Sequence, residues 1–146
     1  MRKSMFTAAC AVLVVGALAP SANASTTAAV RECPRGNWDF CIETTDDNPG
    51  GRMWVELTGD KVQICDTDAD DKRAVGNVYD GSRSAGNLHK RYTFYAETRG
   101  TCVTKLANMG SPYNLPEGRE FTFEICLDDD PGRDKFCTYY EKFNDN

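Results

Sequence analysis

Phe121-Thr122-Phe123-Glu124-Ile125-Cys126-Leu127 alternates apolar and polar side chains without a break. A period of two places one set of side chains on a core and the other toward solvent, so the stretch reads as a β-strand. Residues 135–143 read as a second strand across the turn Asp130-Pro131-Gly132-Arg133, and two strands this close in sequence pair as an antiparallel hairpin. With the turn centred on Pro131-Gly132, Cys126 and Cys137 are equally far from it and face each other. Facing Cβ atoms in a non-hydrogen-bonded pair come near enough for a disulfide. Pro-Gly favours a type II turn, whose twist suits a two-residue hairpin badly, so a slightly wider loop with the same register is expected.

The same alternation recurs upstream. Val62 and Ile64 point one way and Lys61 and Gln63 the other. Further strand candidates are residues 38–44, 53–58, 74–79 and 91–97. They are separated by Asn48-Pro49-Gly50-Gly51, Gly59-Asp60, the run 81–87 and the run 110–118. Residues 102–109 are the only helical candidate, and a short one. Seven or eight short strands divided by turn signals predict an all-β fold, an antiparallel β-sandwich stabilised by disulfides.

The N-terminus reads as an export signal. Arg2 and Lys3 precede an apolar run over residues 5–19, Pro20 breaks it, and Ala22-Asn23-Ala24 offers the small residues a signal peptidase needs. The run is too short to span a bilayer, which takes about 20 apolar residues. The organisation expected is a signal peptide over 1–24, a flexible leader over 25–32 and a single all-β domain over 33–146, secreted and extracellular. Cys10 leaves with the signal, so the seven cysteines of the chain become six.

Those six are Cys33, Cys41, Cys65, Cys102, Cys126 and Cys137. In an oxidising compartment an even set reads as a disulfide framework. Cys33 and Cys41 can close a small loop around Pro34-Arg35-Gly36, and Cys126 pairs with Cys137 across the hairpin. Cys65 and Cys102 remain, tying two distant strands. No two-residue spacing of the zinc-clip kind is present.

Without Arg2 and Lys3 the 17 basic residues of the chain become 15, against 22 acidic. An acidic surface is a poor partner for phosphate backbones, so no nucleic acid binding is expected. No membrane insertion is expected either, and the mature protein should be a monomer.

The best candidate for metal chemistry is Asp66-Thr67-Asp68-Ala69-Asp70-Asp71. Asp66, Asp68 and Asp70, at alternate positions in a tight loop, can offer oxygen ligands to calcium as in the first half of an EF-hand loop. Asp71 stands where that loop needs glycine, and Asn77 where it needs a bidentate glutamate. The competing reading is a solvated β-turn. Asp128-Asp129-Asp130 has the same two readings. No other cofactor is expected.

No catalytic residues emerge. His89 is the only histidine and lies in a polar stretch. Neither Ser82, Ser84 nor Ser111 sits in a nucleophile-elbow context. The aromatic residues Trp38, Trp54, Tyr92, Phe94, Tyr95, Tyr139 and Tyr140 fit either a core or a binding face. Tyr139 and Tyr140, being adjacent in a strand, must point to opposite sides.

Two resemblances accompany these readings. The blocks 59–70, Asn114-Leu115-Pro116-Glu117-Gly118 and the Cys126–Cys137 hairpin resemble small secreted, disulfide-bonded β proteins of actinobacteria that have no assigned function. That resemblance implies a secreted sandwich and no activity. Cys33-Pro34-Arg35-Gly36 with Cys41, then Gly51-Arg52-Met53-Trp54, is similar to the crystallin-like secreted metalloprotease inhibitors, which carry an aromatic residue where this chain has Pro49. The function expected is a secreted, non-catalytic binding or structural module, its partner an extracellular protein or a cell-envelope component. The alternative is an inhibitor of an extracellular peptidase, acting through an extended loop at 81–87 or 108–116.

Overall fold

The computed structural model of the protein describes residues 36–128 and 133–146. The signal peptide, the leader, Cys33 with its pairing to Cys41, and residues 129–132 of the hairpin turn lie outside the described residues.

Eight strands follow one another: β1 (Phe40–Glu43), β2 (Gly51–Glu56), β3 (Lys61–Asp66), β4 (Arg73–Asp80), β5 (His89–Ala96), β6 (Cys102–Lys105), β7 (Arg119–Asp128) and β8 (Asp134–Asn144). They form two four-stranded sheets, ordered β1-β2-β3-β6 and β5-β4-β7-β8, and every pairing is antiparallel. The alternation of each strand fixes which side is apolar. The first sheet turns Phe40, Ile42, Met53, Val55, Val62 and Ile64 inward, and the second answers with Val78, Phe94, Phe121, Phe123 and Ile125. Phe40 joins the layers, edge-on to Phe123 at 5.3 Å and against Tyr140 at 4.7 Å between ring centroids.

Gly76, in the middle of β4, lets the sheets approach. A Cβ there would lie 2.7 Å from Phe94 Cε1 and 2.8 Å from Ile64 Cγ2. Both described disulfides join facing residues of neighbouring strands. Cys65 lies opposite Cys102 in the β3–β6 ladder, and Cys126 is bonded to Cys137 between β7 and β8.

The structure corrects the reading of 102–109 as a helix. The segment opens as β6, held against β3 by the Cys65–Cys102 bridge and by the pairs Ile64↔Val103 and Gln63↔Thr104. Val103 and Thr104 are β-branched and suit a strand, and the helical remnant is one short turn over Ala107–Met109. The hairpin keeps its expected register as far as Ile125↔Thr138, then slips by one residue to Leu127↔Lys135. Phe136 is the extra residue. Its φ of 53° lies in the left-handed region, and its carbonyl accepts a hydrogen bond from Thr45 N at 3.0 Å, linking the end of β1 to β8.

Candidate functional site

The aspartate loop follows β3 at one end of the sandwich. It borders a cavity of about 640 Å³ lined by the carboxylates of Asp66, Asp68, Asp71, Glu97 and Asp128 and by the cations Lys72, Arg73 and Arg99. The walls are pinned from below. Asp66 N donates to Thr101 O at 3.1 Å and Gly100 N to Asp66 O at 2.8 Å, one residue along from the Cys65–Cys102 bridge. Arg73 grips Asp128 through Nε at 3.0 Å and Nη2 at 2.7 Å, its charge further held by the stacked Tyr95 ring at 4.2 Å.

Each candidate calcium ligand has its own local partner. Asp66 is buried and accepts from Asp68 N at 3.3 Å, and burial pushes its carboxyl above the usual value. Asp68 accepts from Ala69 N at 2.8 Å and from Asn48 Nδ2 at 2.7 Å, bonds that hold it below the usual value. Asp70 accepts from Lys72 N at 3.1 Å and pairs with Lys72 Nζ at 2.6 Å. Among the described residues, the one cluster whose potential metal ligands all lie within 4.8 Å is instead Glu124, Cys126 and Cys137. Its two sulfurs are spent on a disulfide.

Glu124 is a buried carboxylate on β7. Alternation places it on the outer face of β7, yet it is only 7% exposed, and its neighbours on that face, Thr122 and Cys126, are fully buried. The carboxylate receives Arg83 Nη2 at 2.5 Å, Tyr79 Oη at 3.0 Å and Asn77 Nδ2 at 3.2 Å. Asn77 Oδ1 in turn accepts from Thr93 Oγ1 at 2.7 Å, and Arg83 stacks on Tyr139 at 4.4 Å. Burial, with the Glu124 charge beside it, pushes the Tyr79 phenol well above its usual range.

Arg83 belongs to the 81–87 loop, which folds down as a compact turn rather than standing out as an extended segment. Gly86 N bonds Arg83 O and Ser82 N bonds Asn87 Oδ1. Ser82 Oγ and Ser84 N reach Glu141 at 2.9 and 3.0 Å. Burial pushes Glu141 up, but the bonds from Ser82 and Ser84 outweigh it and hold the carboxyl low. His89 is exposed at the start of β5 and accepts or donates none of these bonds. The 108–116 loop is anchored through its second half, while residues 108–111 stay exposed. Leu115 is buried, Tyr113 packs edge-on to Tyr92 at 4.9 Å, and Arg91 ties down the carbonyls of Pro112 and Asn114.

The aromatic residues divide between core and surface. Tyr92 and Phe94 are core, and Tyr140 packs against it. Trp38 and Trp54 lie half-buried against each other, ring centroids 6.5 Å apart, with Lys61 over Trp38 and Arg52 over Trp54. Arg52 and Lys61 also pair with Glu43 and Glu56. Tyr95 and Tyr139 face outward on the other sheet.

At the opposite end of the sandwich three distant segments meet around the Leu115 peptide. Asp60 Oδ2 accepts from Leu115 N at 2.9 Å, and Asn144 Nδ2 donates to Leu115 O at 2.8 Å. Beside this clamp lies a cavity of about 460 Å³. The reading of Gly59-Asp60 as a plain turn missed it. The turn is real, with Asp60 at φ 50°, but the partner of its carboxylate is 55 residues away.

No protein-family model matches the chain, and no curated protein or solved structure does either. No helix of the described residues is long and apolar enough to cross a membrane, and the two disulfides are of a kind that persists in oxidising compartments.

Proposed function

We propose that the chain is a secreted, non-catalytic binding module for an extracellular protein or cell-envelope component, akin to the small secreted disulfide-bonded β proteins it resembles. The observation that carries this reading is the 640 Å³ cavity of alternating charge beside the aspartate loop. Its size falls in the range of ligand sites. Its two loop walls are fixed to each other by backbone hydrogen bonds next to a disulfide, so little order has to be imposed on binding. The export pattern of residues 1–24 and the two staples support secretion. The inhibitor reading would rest on residues 83–87 and 108–111, which are exposed but belong to loops anchored to the domain at Ser82 and Leu115.

The test is a titration of the oxidised protein against thermolysin and subtilisin, alongside sedimentation with isolated cell-envelope material. Full peptidase activity at large excess, with the chain uncut and retained on the envelope fraction, is the expected result. Retention should weaken in Arg99→Glu. A stoichiometric loss of peptidase activity would overturn the reading in favour of an inhibitor.

A further inference from the structure

The cavity around the Leu115 clamp differs in chemistry from the one beside the aspartate loop. Asp60 and Glu117 line it, and no lysine or arginine does among the described residues. A smaller adjoining cavity shares Leu57 and Asn146 and adds Asp39 and Asp145 against a single cation, Lys142. Asp60 is 8% exposed and fixed in place. The only hydrogen bond to its carboxylate among the described residues goes from Leu115 N to Oδ2, which leaves Oδ1 without a protein donor. Asn144 is 1% exposed, and its Nδ2 is committed to Leu115 O. Its Oδ1 is therefore left as an acceptor, meeting only Asn146 Nδ2 at 3.4 Å among the described residues. Leu57 and Leu115 supply buried apolar surface on the same wall.

We infer that this cavity is a binding site for a primary alkylammonium group, with Asp60 as its counter-charge. The class follows from the donors and acceptors present. An ammonium carries three donors and no acceptor, which suits a wall where the two buried polar side chains, Asp60 and Asn144, each keep an oxygen free to accept. Its hydrocarbon stem suits Leu57 and Leu115. An anion would face two carboxylates, and a divalent metal would want more carboxylate ligands than Asp60 and Glu117 supply. The site does not depend on the cavity beside the aspartate loop, and either can fail without the other.

The experiment follows the backbone amide resonances of the oxidised full chain with n-butylammonium chloride, n-butanol and calcium chloride as probes. The expected result is a saturable shift at Leu115 and Asn144 with n-butylammonium alone. Asp60→Asn should bind roughly tenfold more weakly, the loss of one charge-assisted contact. Asparagine can accept the same Leu115 N–H and tolerates a positive φ, and an unchanged melting profile at acid pH shows that the variant folds. Glu117→Gln, being exposed, should weaken binding less than Asp60→Asn. Equal shifts with n-butanol, competition by calcium, or unchanged affinity in Asp60→Asn would each overturn the assignment. Nα-acetyl-lysine methylamide separates the two sources of such a group. Tighter binding than n-butylammonium identifies a lysine side chain of a partner protein, and equal or weaker binding a free amine.

Discussion

Tyr92 carries a hydroxyl into the interior with no hydrogen-bond partner among the described residues. Burial pushes its phenol far above the usual range. A buried hydroxyl left unsatisfied costs free energy that its ring does not recover. Tyr92→Phe keeps the packing on Phe94 and Tyr113 and is expected to raise stability by about 1 kcal/mol, read as an increase in Tm. Asp60 makes a pH-dependent counterpart. Burial and then Glu117 push its carboxyl up from 3.8, against the Leu115 N–H and Arg91, and the balance is upward. The folded chain therefore binds this proton more tightly than the unfolded chain. Stability from this group is greatest below the unfolded value and declines as pH rises through the folded one. Asp60→Asn should melt higher than the parent at pH 7, and the difference should vanish below about pH 4. A difference that persists unchanged into acid would contradict this account. Neither residue announces itself in the sequence. Tyr92 looks like any strand aromatic, and Asp60 looks like a turn residue after Gly59. Their properties come from what a distant loop brings against them.

Among the elements, β7 was the most legible and also the most misleading. Its alternation gave the strand, its inward face and the pairing of Cys126 with Cys137. The same alternation implied a solvated outer face, and that face is buried. The 81–87 loop, legible only as a turn, covers it by sending Arg83 to Glu124 and binding Glu141. Replacing Glu124 by alanine strands Arg83, Asn77 and Tyr79 together. The expected cost is about 2–3 kcal/mol, with faster hydrogen exchange in the 81–87 loop. β4 makes a sharper test of packing. At Gly76 an added methyl meets Phe94, Ile64 and the Met53 methyl within 3.1 Å, so Gly76→Ala should destabilise the chain by about 1–3 kcal/mol. A neutral effect in chemical denaturation would mean that the sheets are less closely packed at that point. The misreading of 102–109 has its own physical cause. Cys102 is placed by a partner 37 residues away, and no local pattern shows that the segment completes a ladder with β3.

For the whole molecule, class and layering follow from strand period and turn spacing, which are local and visible. The cavities are not visible in this way, because each is assembled from loops at the end of both sheets. The candidate calcium ligands show the difference. Their spacing in sequence suggested convergence, while the fold gives Asp68 to Asn48 and Asp70 to Lys72. The two described bridges should contribute unequally. Their chain separations are 37 and 11 residues, and a chain-entropy estimate gives about 4 and about 3 kcal/mol. Replacing Cys65 and Cys102 with alanine should therefore lower the denaturation midpoint more than replacing Cys126 and Cys137. Because each bridge joins neighbours within one sheet, neither crosses the core. Mechanical load applied at the two ends of the chain consequently enters Cys65 and leaves at Cys102, passing β4 and β5 by altogether. Reducing the two described bridges should lengthen the chain's contour under force by about 160 Å. β4, although paired with β7, stays slack in the oxidised protein even after β7 has been pulled away from it.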